Sequence, residues 1–278
     1  MNSLKRSQCK VTLGLFLAAA SGAYAQVGSI NSAHIVPGGT PPTFNDMPGA
    51  TRTAINSYPG SVTLNESGAS RVASGGLNRD IWYFSNDGGA SAYQFQNGDY
   101  FNASFNLTLA GGTTGVDLEA GWLFSNPGGT WGGDLQSLLV NNGVVVQFGG
   151  PSYYPFSPAA GGYPGAGGSV PNYTLGQTYN FGLNYVVDPN TGNNAFQYSV
   201  NGQFAASSPG NTYFDLGPGV SIGSPGDMLG GYFQIGNAPN NGGTATFSNI
   251  LITSVPEPST LAFVGLGIAS LFLRRRRA

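Results

Sequence analysis

The sequence is poor in charge, and its few charges are unevenly placed. Only 8% of the 278 residues are charged, against roughly 25% in typical soluble domains. Between residues 26 and 254 there is no lysine, and three arginines stand against eleven acids, a net charge of −8. Nucleic acids and anionic lipid headgroups are bound through clustered lysine and arginine. We therefore expect no nucleic-acid partner and no binding to an anionic membrane surface.

Cysteine and histidine are scarce, since each occurs once, as Cys9 and His34. Cys9 lies in an N-terminal leader, so the exported chain would have neither a disulfide nor thiol chemistry. One histidine without cysteine cannot build a transition-metal site, and His34 lies in a segment that we interpret as a flexible arm. The sequence also lacks a phosphate loop, a dinucleotide fingerprint and a G-x-S-x-G motif. We expect no enzyme activity and no organic cofactor.

The first 25 residues are typical of a secretory signal peptide. A basic start precedes an apolar helix-forming run over residues 11–20. Ala23 and Ala25 then form an A-x-A cleavage pattern, so signal peptidase would leave Gln26 as the first residue of the exported protein. The alternative is a short membrane anchor, but the apolar run is far below the ~20 residues that span a bilayer.

The C-terminus combines a stiff tripeptide, a short apolar run and a basic end. Pro256, Glu257 and Pro258 form the tripeptide, and its prolines keep the junction extended. Residues 261–273 are largely apolar but too few to span a bilayer fully, which favours a short helix that tethers the protein temporarily. Four arginines then mark the cytoplasmic side by the positive-inside rule: Arg274, Arg275, Arg276 and Arg277.

This order of parts over about 24 residues resembles the PEP-CTERM sorting signal. The resemblance implies an exosortase as partner during export, with processing at or near Pro256–Pro258 after transient contact with the inner membrane. It also implies a bacterial cell that makes extracellular polysaccharide and keeps the protein at its surface or in a biofilm matrix. An ordinary C-terminal anchor, a single transmembrane helix, is the alternative.

Between the two signals the pattern is that of β-strands. Apolar residues alternate with small polar ones over Phe101–Leu109 and Tyr179–Tyr185, which places one apolar row on each strand. Glycine is abundant (45 residues) and Asn-Gly pairs supply tight turns. Seven further strands are predicted: Asp80–Ser85, Val116–Phe124, Leu135–Val140, Val144–Phe148, Ala195–Val200, Leu229–Ile235 and Thr244–Ile252.

These strands predict an all-β, two-sheet antiparallel jelly-roll sandwich. The stretches over residues 175–179 (LGQTY) and 198–202 (YSVNG) are similar to the concanavalin A-like, or laminin G-like, family, which implies a lectin-like fold. We divide the chain into a signal peptide (1–25), a flexible arm or edge strand (26–60), the sandwich (61–254) and the sorting tail (255–278).

Two groups of oxygen-bearing residues are candidate metal sites. Asp117 and Glu119 lie two apart on one strand, so their side chains share a face and could bind a cation, act as acid and base, or simply face solvent. Asp188 and Asn190 lie in an oxygen-rich stretch that would suit calcium, although such residues are also ordinary turn formers. We favour the turn and expect no metal, with calcium as the alternative.

The same Asp117–Glu119 strand bears on catalysis. Laminarinase-like glycoside hydrolases carry E-x-D-x-E on one strand, and Gly115 stands here where the first acid of that pattern would be. The covalent step would then have no carboxylate. A degenerate glycoside hydrolase is therefore the third of our functional hypotheses.

Aromatic residues in two Gly-rich loops are candidate glycan contacts, because aromatic rings stack on the C–H faces of sugars. They are Trp131 in one loop and Tyr153, Tyr154 and Tyr163 in the other; packing within the loops is the alternative. We interpret Trp82 and Trp122 as core residues. The first hypothesis is thus a secreted, non-catalytic, lectin-like protein that binds exopolysaccharide, and the second is a structural adhesion or matrix protein without a glycan ligand.

The sorting interpretation is tested by replacing Pro256→Ala together with Glu257→Ala. We expect the tail to stay uncleaved and the protein to stay in the inner membrane, because the processing signal is lost. Cell fractionation and the mass of the C-terminal peptide would measure this. Normal release of the double variant would contradict the sorting interpretation.

Overall fold

The computed structural model describes thirteen segments of the chain. They are residues 26–38, 44–45, 47, 49–69, 77–111, 117–126, 133–141, 144–146, 174–204, 210–219, 221–222, 227–236 and 241–255. Both terminal signals, with their predicted helices, lie outside the described residues. No helix in the described segments is long and apolar enough to cross a membrane.

The described segments form fifteen strands, preceded by one turn of 3-10 helix at Gln26–Ser29. The strands are β1 (Ser32–Ile35), β2 (Phe44–Asn45), β3 (Thr51–Ser57), β4 (Ser61–Ala69), β5 (Leu77–Ser85), β6 (Phe101–Gly111), β7 (Asp117–Asn126), β8 (Gly133–Asn141), β9 (Val144–Val146), β10 (Thr178–Val187), β11 (Asn194–Val200), β12 (Gln203–Phe204), β13 (Phe214–Asp215), β14 (Met228–Gly236) and β15 (Asn241–Ser254).

The strands build two antiparallel sheets. The first sheet has the order β1-β5-β14-β7-β8-β9, with β2 also paired to β5. The second has the order β12-β11-β10-β6-β15-β4-β3, with β13 also paired to β11. Neighbours in each sheet are mostly distant in sequence, as in β6 beside both β10 and β15. The predicted all-β sandwich with two antiparallel sheets is confirmed.

Each of the nine predicted strands is present, within a few residues of its predicted ends. The N-terminal region, interpreted from the sequence as a flexible arm or an edge strand, contains β1 at the end of the first sheet. β1 pairs with β5 from Ser32 to Ile35, so His34 lies in a strand and not in a flexible arm, and its Nδ1 is 2.9 Å from the carbonyl oxygen of Gly89. β3 and β4 were not predicted because β3 has no apolar row and Glu66 interrupts that of β4.

Aromatic rings from both sheets meet between them. Trp82 of β5 and Trp122 of β7 are fully buried, which confirms their assignment to the core. The ring centroids of Trp122 and Phe105 are 4.1 Å apart, and Trp82 meets Phe247 edge-on at 5.6 Å. Such pairs stabilise a core by about 0.5–1.5 kcal/mol beyond the burial of their area. They therefore fix how closely the sheets approach.

Gly231 makes room for this packing at the centre of β14. A Cβ atom there would lie 2.5 Å from Nε1 of Trp82 and 2.7 Å from Cε1 of Phe247. Neither ring can move away, since both are enclosed by other core side chains. Glycine at this position is therefore required by the aromatic core.

Polar side chains join the sheets at one end of the sandwich. Arg52 of β3 forms an ion pair with Asp80 of β5, and its Nε donates to Asp80 Oδ1 at 2.6 Å. Beside this pair, Asn78 of β5 donates from Nδ2 to Glu66 Oε1 of β4 at 2.6 Å. The network thus connects the outermost strands of the second sheet to the first sheet.

Burial shifts the titration of the acids in this network. The pKa of Glu66 is raised to about 7, chiefly by burial and also by nearby Asp80. The hydrogen bond from Asn78 and the charge of Arg52 oppose the rise. The pKa of Asp80 is also raised by burial, against the opposing effect of Arg52. Folded Glu66 therefore keeps its proton at pH values where the unfolded chain has lost it.

The change Glu66→Gln tests this effect. Because the native state binds more protons at Glu66 than the unfolded state, the free energy of unfolding falls as pH rises from about 4.5 to about 7. Glutamine keeps the acceptor for Asn78 without the buried charge. At pH 8 we expect the free energy of unfolding of the variant to be higher than that of the wild type by about 1 kcal/mol or more, which corresponds to about 2–4 °C in Tm. At pH 4.5 we expect no such difference. A Tm difference that does not change with pH would contradict this assignment.

Candidate functional site

The outer face of the second sheet is made mostly of short, polar, uncharged side chains, with Ile55 and Leu251 also exposed on it. Strand residues alternate between faces, so the residues between the buried ones of β4, β15, β6, β10 and β11 point outward. The residues of β3 that pair with the outward ones of β4 share that face. We call this surface the neutral face. Its polar members are Thr51, Thr53, Ser57, Ser61, Thr63, Asn65, Ser67, Thr244, Thr246, Ser248, Thr253, Asn102, Ser104, Asn106, Thr108, Thr178, Asn180, Asn184, Gln197 and Ser199.

Threonines cross the neutral face in one row. The strand register aligns Thr63, Thr246, Thr108 and Thr178 on four neighbouring strands. The Oγ1 atoms of Thr108 and Thr178 are 2.7 Å apart, and Oγ1 of Thr63 donates to that of Thr246 at 3.5 Å. The row therefore presents the hydroxyl groups of four strands as two hydrogen-bonded pairs.

Asparagine side chains on the neutral face are held by hydrogen bonds across the strands. Asn180 donates from Nδ2 to Asn106 Oδ1 at 3.0 Å. On the same face, between β15 and β4, Thr244 donates from Oγ1 to Asn65 Oδ1 at 2.7 Å. These bonds orient the amides before any ligand arrives, which lowers the entropy that binding would cost.

The neutral face has no charge on its six strands. None of the outward positions of β3, β4, β15, β6, β10 and β11 holds Asp, Glu, Lys or Arg; Asp215, on the short β13, lies at its margin beside Ala195. Gly182 lies within the face, and a side chain there would collide with Ser199 Oγ. The surface therefore offers hydroxyl and amide groups to a partner but no ionic contact.

The outer face of the first sheet carries a polar row of a different kind. Gln234 lies between Arg79 and Glu119 in the register of β5, β14 and β7. Arg79 Nε donates to Gln234 Oε1 at 2.7 Å, Gln234 Nε2 donates to Glu119 Oε2 at 3.4 Å, and the hydroxyl of Tyr232 donates to Glu119 Oε1. All four side chains are buried. Burial and the charge of Glu119 raise the pKa of Tyr232 well above its usual value.

This row changes the interpretation of Glu119. Both of its carboxylate oxygens accept hydrogen bonds in a buried network, so the expectation of a solvent-facing acid is wrong for Glu119. Asp117 begins the same strand. Sequence reasoning missed Arg79, Tyr232 and Gln234, which come from strands far apart in the chain. The arrangement links Arg79 to Glu119 through Gln234, and so holds three strands together.

The oxygen-rich stretch around Asp188 forms the hairpin between β10 and β11. Asp188 Oδ1 accepts from the N–H of Asn190 at 2.8 Å, and the backbone of Asp188 bonds to Asn193 and Gly192. Asp188 and Asn190 lie in a turn between strands of the second sheet, whereas Asp117 and Glu119 lie on β7 of the first. No three His, Cys, Asp or Glu side chains among the described residues are grouped to hold a metal ion.

The remaining predicted site residues lie outside the described residues. These are the candidate glycan contacts Trp131, Tyr153, Tyr154 and Tyr163, the cleavage residues Ala23 and Ala25, and the sorting residues Pro256, Glu257, Pro258, Arg274, Arg275, Arg276 and Arg277. Gln26 is described, at the start of the 3-10 turn.

Comparison with protein families identifies the C-terminal tail. Residues 254–277 match the PEP-CTERM protein-sorting motif. This confirms the sorting signal predicted from the sequence. The motif implies an exported protein that an exosortase processes and that is sorted to the cell surface or exterior. No curated protein sequence matches the chain.

Solved structures of similar fold share little sequence with this chain. An alginate lyase AlgAT5 of polysaccharide lyase family 7 is 10% identical, with a TM-score of 0.41, over 72% of this chain and 81% of the lyase. An endo-1,3-β-glucanase from Streptomyces sioyaensis is 10% identical, with a TM-score of 0.44, over 83% and 93%. The carbohydrate recognition domain of Emp47p is 10% identical, with a TM-score of 0.37, over 76% and 94%.

The change Tyr232→Phe tests the buried polar row. It deprives Glu119 of a donor in a buried site, so we expect a loss of about 1–3 kcal/mol in the free energy of unfolding, measured by urea denaturation. Tyr213→Phe, a half-buried tyrosine outside the row, is the matched control. The loss should shrink when Glu119→Gln is already present. An equal loss in both backgrounds would show that the two side chains do not interact.

Proposed function

We propose that this exported, exosortase-directed protein is a non-catalytic component of the cell surface or extracellular matrix whose neutral face binds neutral polysaccharide. The observation that carries the proposal is the uncharged array of hydroxyl and amide groups across six strands of the second sheet. No charged side chain stands at the outward positions of those strands to attract or repel an ionic polymer.

The chemistry of the neutral face suits sugars in three ways. Hydroxyl and amide groups both donate and accept hydrogen bonds, as sugar hydroxyls do. The side chains are short and partly fixed by their neighbours, as in the bond from Asn180 to Asn106. Each hydrogen bond adds only about 0.5–1.5 kcal/mol net, so useful affinity requires the many aligned groups that a polymer can contact at once.

The non-catalytic part of the proposal is supported by the state of Glu119. A catalytic carboxylate must reach the proton it transfers in a substrate. Glu119 is buried and accepts hydrogen bonds from Tyr232 and Gln234. Its carboxylate therefore joins neighbouring strands of the first sheet. Calcium at the hairpin of Asp188 stays the alternative to a metal-free protein, and the binding test is therefore run with and without calcium.

The tail supplies the route to the surface. In the proposed sequence, signal peptidase removes residues 1–25, the apolar run at 261–273 holds the protein briefly in the inner membrane, and an exosortase then processes the Pro256–Pro258 region. The folded sandwich would afterwards lie within the exopolysaccharide that its neutral face contacts.

The pair of changes Asn65→Asp and Asn106→Asp tests the neutral face. Each keeps the oxygen that accepts a bond from its neighbour but replaces an amide donor with a negative charge. We expect the exported protein to bind the producer's neutral polysaccharide and a neutral glucan, and the double variant to bind about tenfold more weakly, as measured by affinity electrophoresis.

Asn86→Asp with Asn97→Asp adds the same charge at exposed positions off the neutral face and should bind as the wild type does. A loss of binding in Trp131→Ala, with none in the double variant of the face, would instead place the glycan at the aromatic loops. Absence of binding by folded wild-type protein would leave a structural matrix role without a glycan ligand.

A further inference from the structure

β3 is an open edge of the second sheet. Among the described strands, it pairs with β4 alone. Six of its seven residues are exposed, and Ile55 is 63% exposed. An edge strand of this length presents a row of unpaired N–H and C=O groups that can pair with another strand.

β3 lacks the features that usually prevent edge pairing. Its outward side chains carry no charge, and it contains neither lysine nor proline within Thr51–Ser57. Its one charged residue, Arg52, points between the sheets, where Asp80 neutralises it and the backbone oxygen of Arg79 accepts from it. The arginine is therefore held away from a strand that approaches the edge.

The sequence of β3 is complementary to itself. In an antiparallel pair centred on Ala54, Thr53 would lie opposite Ile55 of the second copy, and Thr51 would lie opposite Ser57. Arg52 would lie opposite Asn56, so no two like charges oppose each other. Threonine beside isoleucine is a favourable cross-strand pair, because both are β-branched.

We infer that β3 pairs with β3 of a second copy of this chain, forming a two-fold symmetric dimer through the sheet edge. The occupant is a second copy, because the register centred on Ala54 places β-branched residues opposite each other and opposes no like charges along β3. A two-fold pairing uses the edge on both molecules and closes, so it yields a dimer and not a fibre.

Pairing through β3 joins the two second sheets into one continuous sheet. The neutral faces of the copies then lie side by side on the same surface, since β-pairing keeps the faces of the sheet aligned. This goes beyond glycan binding by one molecule: a dimer could engage one polymer at two places and gain avidity. The dimer itself does not depend on a glycan.

A pair of charge variants tests both the dimer and its register. In Thr53→Lys with Ile55→Lys, lysines of the two copies oppose each other twice in the dimer. In Thr53→Glu with Ile55→Lys, each glutamate opposes a lysine instead. The changed side chains are exposed, so the fold should tolerate them, which thermal unfolding would verify.

Sedimentation velocity of the exported protein, without glycan, gives the outcome. We expect the wild type to dimerise, the double-lysine variant to do so at least about tenfold more weakly, and the Glu–Lys variant to dimerise again with an affinity that falls in high salt. Leu251→Lys changes another exposed hydrophobic residue, 55% exposed, and should leave the dimer intact. A monomeric wild type, or equal dimerisation of both charge variants, would overturn the inference, whatever the result for polysaccharide.

Discussion

The packing of two tryptophans from one sheet against phenylalanines from the other is the contact on which the rest of this structure depends. Trp82 and Trp122 lie against Phe247 and Phe105, and Gly231 leaves the space that the indole of Trp82 occupies. With no disulfide available between residues 26 and 254, the separation of the sheets is set by this aromatic layer. Because strand side chains alternate between faces, the polar residues next to these inward aromatic ones point outward.

Scarcity of charge shapes both surfaces of the sandwich. Two of the three arginines between residues 26 and 254 are engaged inside the structure. Arg52 pairs with Asp80 between the sheets, and Arg79 joins the row that ends at Glu119. Both arginines are thus engaged away from the neutral face, whose outward polar groups are hydroxyls and amides. The outward side chains of β3 also carry no charge that would discourage pairing at its edge.

The sequence predicted the parts of the fold that follow from local periodicity. Strands such as Phe101–Leu109 alternate strictly, so their faces could be assigned from the chain alone, including the polar side that became the neutral face. The bounds of β3, within the segment interpreted as an arm or edge strand, could not be predicted, because an exposed edge strand needs no apolar row. The partners of Glu119 were missed since Arg79 and Gln234 meet it only through the order of strands in the sheet, which local pattern does not encode.

The claim that the neutral face is the glycan site is tested most directly by NMR of the side-chain amides. Titration of the labelled protein with the producer's neutral polysaccharide should shift the NH₂ signals of Asn106 and Asn180 at the centre of the neutral face. Those of Asn86 and Asn97, which lie off that face, should stay in place. Shifts confined to residues away from the second sheet would contradict the account, because the polymer would then be bound elsewhere on the protein.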